Sequence, residues 1–175
     1  AGALADEAAE LVAEGFSAIK LRLGYPTLAE DMASLHAVRS RVPSSVAILS
    51  DYNQALTVEE ALTRGRALDR EGLVWIEEPI RHDDYAGCAR LAAAIETPVQ
   101  IGENFETPLA MGRAIEARAS DHVMPDFGRI LGVTGWLDAA ARAEQAGLPL
   151  SSHLYPEISV HLLAASPTAA WLEFV

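Results

Sequence analysis

Asp51, Glu77 and Glu103 are three acids at near-equal intervals, each at or just beyond the end of a short apolar run. Three carboxylates brought to one point repel one another unless a cation lies between them. An all-oxygen ligand set without Cys or His favours Mg²⁺, with Mn²⁺ as the alternative, over Zn²⁺. Asp126 and His153 continue the same rhythm. A carboxylate on one imidazole nitrogen orients the other for proton transfer. Lys20 and Arg22 stand two apart in Ile19-Lys20-Leu21-Arg22-Leu23. In a strand that spacing puts both side chains on one face, where two cations could bind a carboxylate. Taken singly, each acid reads as a solvated charge near a helix start. The shared spacing is what makes them a set.

The elements that must position these residues recur as a unit. An amphipathic helix closes on Gly15, Gly72 or Gly147, and a short apolar run follows. Glycine readily takes the left-handed conformation that closes a helix. Thr27 with Glu30 and Thr57 with Glu60 have capping-box spacing, and Thr107-Pro108 sets a capping hydroxyl before a first-turn proline. Leu28, Met32, Leu35 and Val38 form one predicted helical face, and Cys88, Leu91 and Ile95 another. Runs such as Ala47-Ile48-Leu49, Val74-Trp75-Ile76 and Val99-Gln100-Ile101 read as strands buried on both sides.

Strands alternating with helices imply a parallel sheet. The strand ends fall at Lys20, Asp51, Glu77, Glu103, Asp126, His153 and Glu173. About seven such strands over residues 1–175 predict an α/β fold, a partial (β/α) barrel of the TIM type forming one catalytic domain, with no second domain in the sequence. An open doubly wound sheet is the alternative. In a barrel, neighbouring strands lie about 4.8 Å apart and catalytic groups sit at their carboxyl ends, so the polar endings can converge. The sequence opens in a helix around Asp6 to Glu14 and stops in Trp171-Leu172-Glu173-Phe174-Val175, which suggests that the first strand of the barrel is missing and that this is part of something longer.

Composition narrows the partners. The chain of 175 residues carries 13 Lys and Arg against 25 Asp and Glu, a net charge of −12. That balance argues against a nucleic-acid groove or an anionic membrane surface, and it tolerates a small anionic substrate beside a bound cation. A lone cysteine, Cys88, excludes an internal disulfide and fits a cytoplasmic location. No apolar run reaches the roughly 18 residues of a membrane span, and no leader pattern opens the sequence.

The motifs together resemble a known family. Lys20-Leu21-Arg22-Leu23-Gly24-Tyr25-Pro26, Asp51-Tyr52-Asn53-Gln54, Trp75-Ile76-Glu77-Glu78-Pro79 and Pro98-Val99-Gln100-Ile101-Gly102-Glu103-Asn104 occur in order. Met124-Pro125-Asp126, Gly132-Val133-Thr134-Gly135-Trp136, Ser151-Ser152-His153-Leu154 and Trp171-Leu172-Glu173 follow. The pattern is similar to the mandelate racemase and muconate lactonizing enzyme family of the enolase superfamily, and lies closest to the mandelate racemase type.

The resemblance implies a C-terminal barrel domain beside an α+β capping domain that this sequence lacks. It implies Mg²⁺ on Asp51, Glu77 and Glu103, and abstraction of the proton α to a carboxylate through a metal-stabilised enolate. It makes Lys20 the group that neutralises the substrate carboxylate, His153 with Asp126 an acid/base pair, and Glu173 an acid that hydrogen-bonds the carboxylate. Asn53 would support the site beside a ligand. A small 2-hydroxy carboxylate is the implied substrate, and a homo-oligomer the implied assembly.

Arg22 departs from the racemase pattern, in which a lysine serves as the second base. Arginine keeps its proton in proteins, which disfavours two-base racemisation. It leaves a one-base reaction in which His153 handles a proton and then assists loss of a β-hydroxyl, as in acid-sugar dehydratases acting on aldonates or aldarates. An incomplete, non-catalytic barrel is the remaining alternative. Val175, two residues after Glu173, would offer an apolar contact to an aromatic substrate. Gly128, Gly132 and Gly135 read as a turn into a helix, and His36, His82, His122 and His161 as surface or core residues.

Overall fold

The computed structural model describes residues 2–175. The chain folds into two compact units: the first runs to Arg81 and includes Ile95–Thr97, and the second holds His82–Ala94 and Pro98–Val175. In the first, α1 (Gly2–Glu14), β1 (Ala18–Arg22), α2 (Leu28–Arg41), β2 (Ala47–Asp51), α3 (Val58–Leu68) and β3 (Ile76–Glu77) alternate. β1 pairs in parallel with β2, and β2 with β3. In the second, α4 (Tyr85–Ala92), β4 (Val99–Ile101), α5 (Pro108–Glu116), β5 (His122–Val123), α6 (Gly132–Ala146), β6 (Leu150–Ser152), α7 (Pro156–Ala164) and β7 (Ala169–Leu172) continue the alternation. β4, β5, β6 and β7 pair in parallel and in sequence order. Strand order never reverses within either unit, so neither contains the switch point of a doubly wound sheet.

Local chemistry explains the helix starts. Thr27 and Thr57 each accept the N3 backbone N–H while Glu30 and Glu60 reach back, completing both capping boxes. Those hydrogen bonds hold the Glu60 carboxyl below its ordinary range. Thr107 caps α5, with Pro108 in its first turn. Strands and the helix faces packed on them supply the cores: Ile48, Leu68 and Trp75 in the first unit; Val99, Ile101, Val123, Trp136 and Leu150 in the second.

Two helical faces differ from expectation. The buried stripe of α2 is Asp31, Ser34, Leu35 and Val38, with Leu28 and Met32 half-buried. The reason is a polar anchor. Asp31 is fully buried; its Oδ1 accepts from the backbone N–H groups of Gly24 and Tyr25, each at 2.9 Å. Its Oδ2 accepts from the Tyr52 hydroxyl at 2.9 Å and from Arg64 Nη1 at 2.6 Å. Arg64 also donates to the Tyr25 carbonyl at 2.9 Å. Burial, then the Asp31 charge, pushes the Tyr52 phenol well above its ordinary pKa. The second case is Ile95, which lies beyond the end of α4 and packs against Gly65 of α3 in the first unit.

A buried carboxylate bound four times cannot be removed cheaply. Asp31→Ala strands the Arg64 guanidinium and is expected to cost about 3–5 kcal/mol. Asp31→Ala/Arg64→Met, which removes both charges, should recover much of that loss. Urea unfolding of the two variants checks it: a double variant no more stable than the single one would contradict this reading.

Candidate functional site

In the first unit, Asp51 ends β2 and Glu77 ends β3, and the two are register partners across the pair. Arg22 is in turn the register partner of Asp51. Asp51 is 2% exposed and Glu77 is fully buried. Burial of charge demands partners, and both have them. Lys20 Nζ lies 3.0 Å from Glu77 Oε1, and Trp75 Nε1 donates to Glu77 Oε2 at 3.2 Å. Arg22 Nη2 lies 3.0 Å from Asp51 Oδ2, and the Asn53 backbone N–H donates to Asp51 Oδ1 at 2.7 Å. Lys20 sits within β1, one turn of the pleat before Arg22, so both cations face the two carboxylates. The chain past the strand ends is tightly wound: Asn53, Gln54 and Glu78 adopt φ of 44°, 65° and 36°. Such values are uncommon for residues with side chains and concentrate at functional sites.

In the second unit, His153 directly follows β6. Its Nδ1 lies 2.7 Å from Asp126 Oδ2. Its Nε2 lies 3.4 Å from Glu103 Oε2 and 3.9 Å from Glu173 Oε2. Glu173 directly follows β7, and its Oε2 accepts from the Leu154 backbone N–H at 2.9 Å. Glu103 comes two residues after β4. Gly102 makes that exit possible, with φ of 150° and a backbone so close to Met124 that a Cβ would stand 2.6 Å from the Met124 nitrogen. Asp126 lies past β5 and forms an isolated bridge with His153. The second unit thus gathers an imidazole and three carboxylates at strand ends.

Other residues fall elsewhere. Asn53 is exposed and touches Asp51 through its backbone N–H. Val175 is 88% exposed. His36 pairs with Glu71, His122 is partly buried with its imidazole pKa pulled down by desolvation, and His161 is exposed. Gly132 opens α6, and a Cβ on Gly135 would meet the Ile130 carbonyl oxygen at 1.6 Å, so this glycine segment serves the turn into the helix. Cys88 is buried in α4. Among the described residues no helix is long and apolar enough to cross a membrane.

Sequence reasoning missed three neighbours of these groups. Trp75 lies in an apolar run that reads as a buried strand, yet its indole N–H also holds Glu77; its place two residues before Glu77 was the available signal. Asn104 Nδ2 donates to Glu103 Oε1 at 3.4 Å, and Arg129 donates both to Asn104 Oδ1 and, through its backbone N–H at 3.0 Å, to Asp126 Oδ1. Only adjacency to Glu103 and Asp126 marks them in the sequence.

The donor set suits a hard divalent cation: buried carboxylate oxygens, no sulfur, and cationic side chains that moderate repulsion among the acids.

Comparisons with known proteins agree with this chemistry. The family model described as enolase C-terminal domain-like matches residues 3–175. The curated L-talarate/galactarate dehydratase of Salmonella typhimurium is 38% identical over 159 residues, covering 91% of this chain and 40% of the relative. A solved enolase from alpha proteobacterium BAL199 with bound magnesium is 46% identical, with a TM-score of 0.95 over 97% of this chain and 48% of that one. A solved enolase from Bradyrhizobium, complexed with magnesium and mandelic acid, is 38% identical, with a TM-score of 0.94 over 98% of this chain and 49% of that one. The chain spans about half the length of the relatives it matches. By the family match and these likenesses, the chain belongs to the enolase C-terminal domain-like family, in its mandelate racemase and muconate lactonizing branch, and has that family's (β/α) barrel fold.

Proposed function

We propose that the protein removes the proton α to the carboxylate of a hydroxy acid and then expels the β-hydroxyl, as an acid-sugar dehydratase with Mg²⁺ on Asp51, Glu77 and Glu103. Each of the three offers a carboxylate oxygen. Solved relatives hold magnesium, and one curated relative is named a dehydratase of talarate and galactarate. The observation that carries the dehydratase reading is the pairing of one well-held base, His153 on Asp126, with an arginine at position 22.

The α-proton of a carboxylate is too weakly acidic for an imidazole to remove unaided, so the developing charge must be stabilised electrostatically. When bound, Mg²⁺ supplies positive charge against which that charge develops. Lys20 adds a second positive charge beside Glu77 and neutralises the substrate carboxylate. Glu173, as an acid, donates a hydrogen bond to that carboxylate.

His153 takes the α-proton on Nε2 while Asp126 holds Nδ1 and stabilises the imidazolium. The same imidazolium then returns the proton to the departing β-hydroxyl. The electron pair of the α C–H bond becomes a carbon–carbon double bond, the β C–O bond breaks, and water leaves. The enol that remains tautomerises to a 2-keto-3-deoxy acid. Arg22 keeps its proton throughout and serves as a fixed cation for an anionic group.

A racemase acting on mandelate-like acids is the second reading, favoured by the relative solved with mandelic acid. It needs a second base, which Arg22 does not provide. Under either reading the substrate is a small 2-hydroxy carboxylate.

Exchange of the substrate α-proton in D₂O, followed by proton NMR, tests the shared step with a panel of aldaric, aldonic and 2-hydroxy acids. His153→Asn should slow exchange by about 10²–10⁴-fold, the usual worth of a positioned acid/base. Exchange that survives the substitution would remove His153 from the role. Chelation with EDTA should abolish exchange and added Mg²⁺ should restore it; exchange indifferent to both would rule out the metal. A keto acid appearing beside exchange identifies the dehydratase.

Arg22→Lys provides the complementary test. It should create or raise mandelate racemisation, read by polarimetry, because lysine can shed a proton where arginine cannot. No gain would separate this site from racemase chemistry.

A further inference from the structure

We infer that Asn104 and Arg129 are positioning residues that tie Glu103 to the Asp126–His153 pair in one closed circuit of polar contacts. The inference rests on the proposed function for its catalytic consequence, and on the second unit's geometry for its existence. The circuit can be followed atom by atom. Glu103 Oε1 accepts from Asn104 Nδ2 at 3.4 Å, and Asn104 Oδ1 accepts from Arg129 Nη1. The Arg129 backbone N–H donates to Asp126 Oδ1 at 3.0 Å, and Asp126 Oδ2 meets His153 Nδ1 at 2.7 Å. His153 Nε2 returns to Glu103 Oε2 at 3.4 Å. Both oxygens of Glu103 and both of Asp126 are thereby engaged within one loop of contacts.

The two carboxylates have different duties in the proposed reaction: Glu103 holds the metal and Asp126 holds the base. Each sits on chain that has left its strand, past β4 and β5 respectively, where pairing thins to an isolated bridge between Asp126 and His153. Something else must fix their separation. Arg129 bridges the two segments through two different groups, its guanidinium to the Glu103 side and its backbone N–H to the Asp126 side. Its exposed guanidinium is planar and fork-shaped, so it loses little freedom in holding the Asn104 carbonyl. Groups beyond the metal ligands that orient them usually matter about 10–100-fold for metal affinity or activity.

Four measurements on the purified protein test this. In metal-free protein at fixed pH, the ¹⁵N resonances of the His153 ring should move on Asn104→Ala, although Asn104 does not touch His153 in the circuit except through Arg129 or Glu103. Mg²⁺ affinity by calorimetry should fall about 10–100-fold in both Asn104→Ala and Arg129→Gln, with kcat for proton exchange falling in step and KM for the acid unchanged. The double variant should be no worse than the worse single one, because members of one network do not contribute additively. Arg129→Lys, which keeps a donor toward Asn104, should recover part of the loss, and melting temperatures should hold.

A His153 signal unmoved by Asn104→Ala overturns the inference, and so does a loss of affinity that merely tracks a lower melting temperature. A native protein whose His153 signal responds to Asn104→Ala but which binds no Mg²⁺ leaves the circuit standing and sinks the proposed function.

Discussion

Burying carboxylates is the constraint to which both units answer. A carboxylate withdrawn from water is stable only where donors or cations replace its hydration. Asp31 and Glu77 are fully buried, and Asp51 and Asp126 nearly so. Each has been given partners from more than one element. Asp31 draws them from the chain after β1, from Tyr52 and from α3; Glu77 draws them from β1 and from Trp75 just before β3. Those partners also fix where the acids point. The same bonds that make burial tolerable make the geometry rigid.

The two kinds of acid nevertheless use that requirement differently. Asp31 spends all its acceptor capacity on protein groups and leaves nothing for a ligand. It ties the Gly24–Tyr25 turn to Tyr52, which stands next to Asp51 in the chain. Glu77 and Asp51 are held in part by the long side chains of Lys20 and Arg22.

Much of this was legible in the residues. Caps at Thr27, Thr57 and Thr107, the glycines Gly15 and Gly147 that follow α1 and α6, and the alternation of apolar runs with amphipathic segments are local signals, and the folded chain repeats them; Gly72 is the exception, because α3 already ends at Leu68 with Asp69 as its cap. The candidate site residues were legible because a parallel (β/α) chain puts its chemistry at strand ends, and strand ends recur at a regular interval. Less legible was Asp31, whose face of α2 looked like Leu28 and Met32 from apolar spacing alone. A polar residue enters a core only when partners from distant segments meet it, and spacing within one helix carries no record of them.

What the sequence determined by itself was element type, element order and the identity of the chemical groups, because those follow from backbone propensity and from side chains within a few positions of one another. Only the tertiary structure decided which donor meets which acceptor. Lys20 on Glu77, Trp75 on the same carboxylate, Arg129 on Asn104 and His153 on Asp126 are contacts between side chains on different segments or across a strand pleat. They depend on strand register and on the path of the chain after each strand. Register and path are set by the packing of a whole unit, so no local pattern contains them.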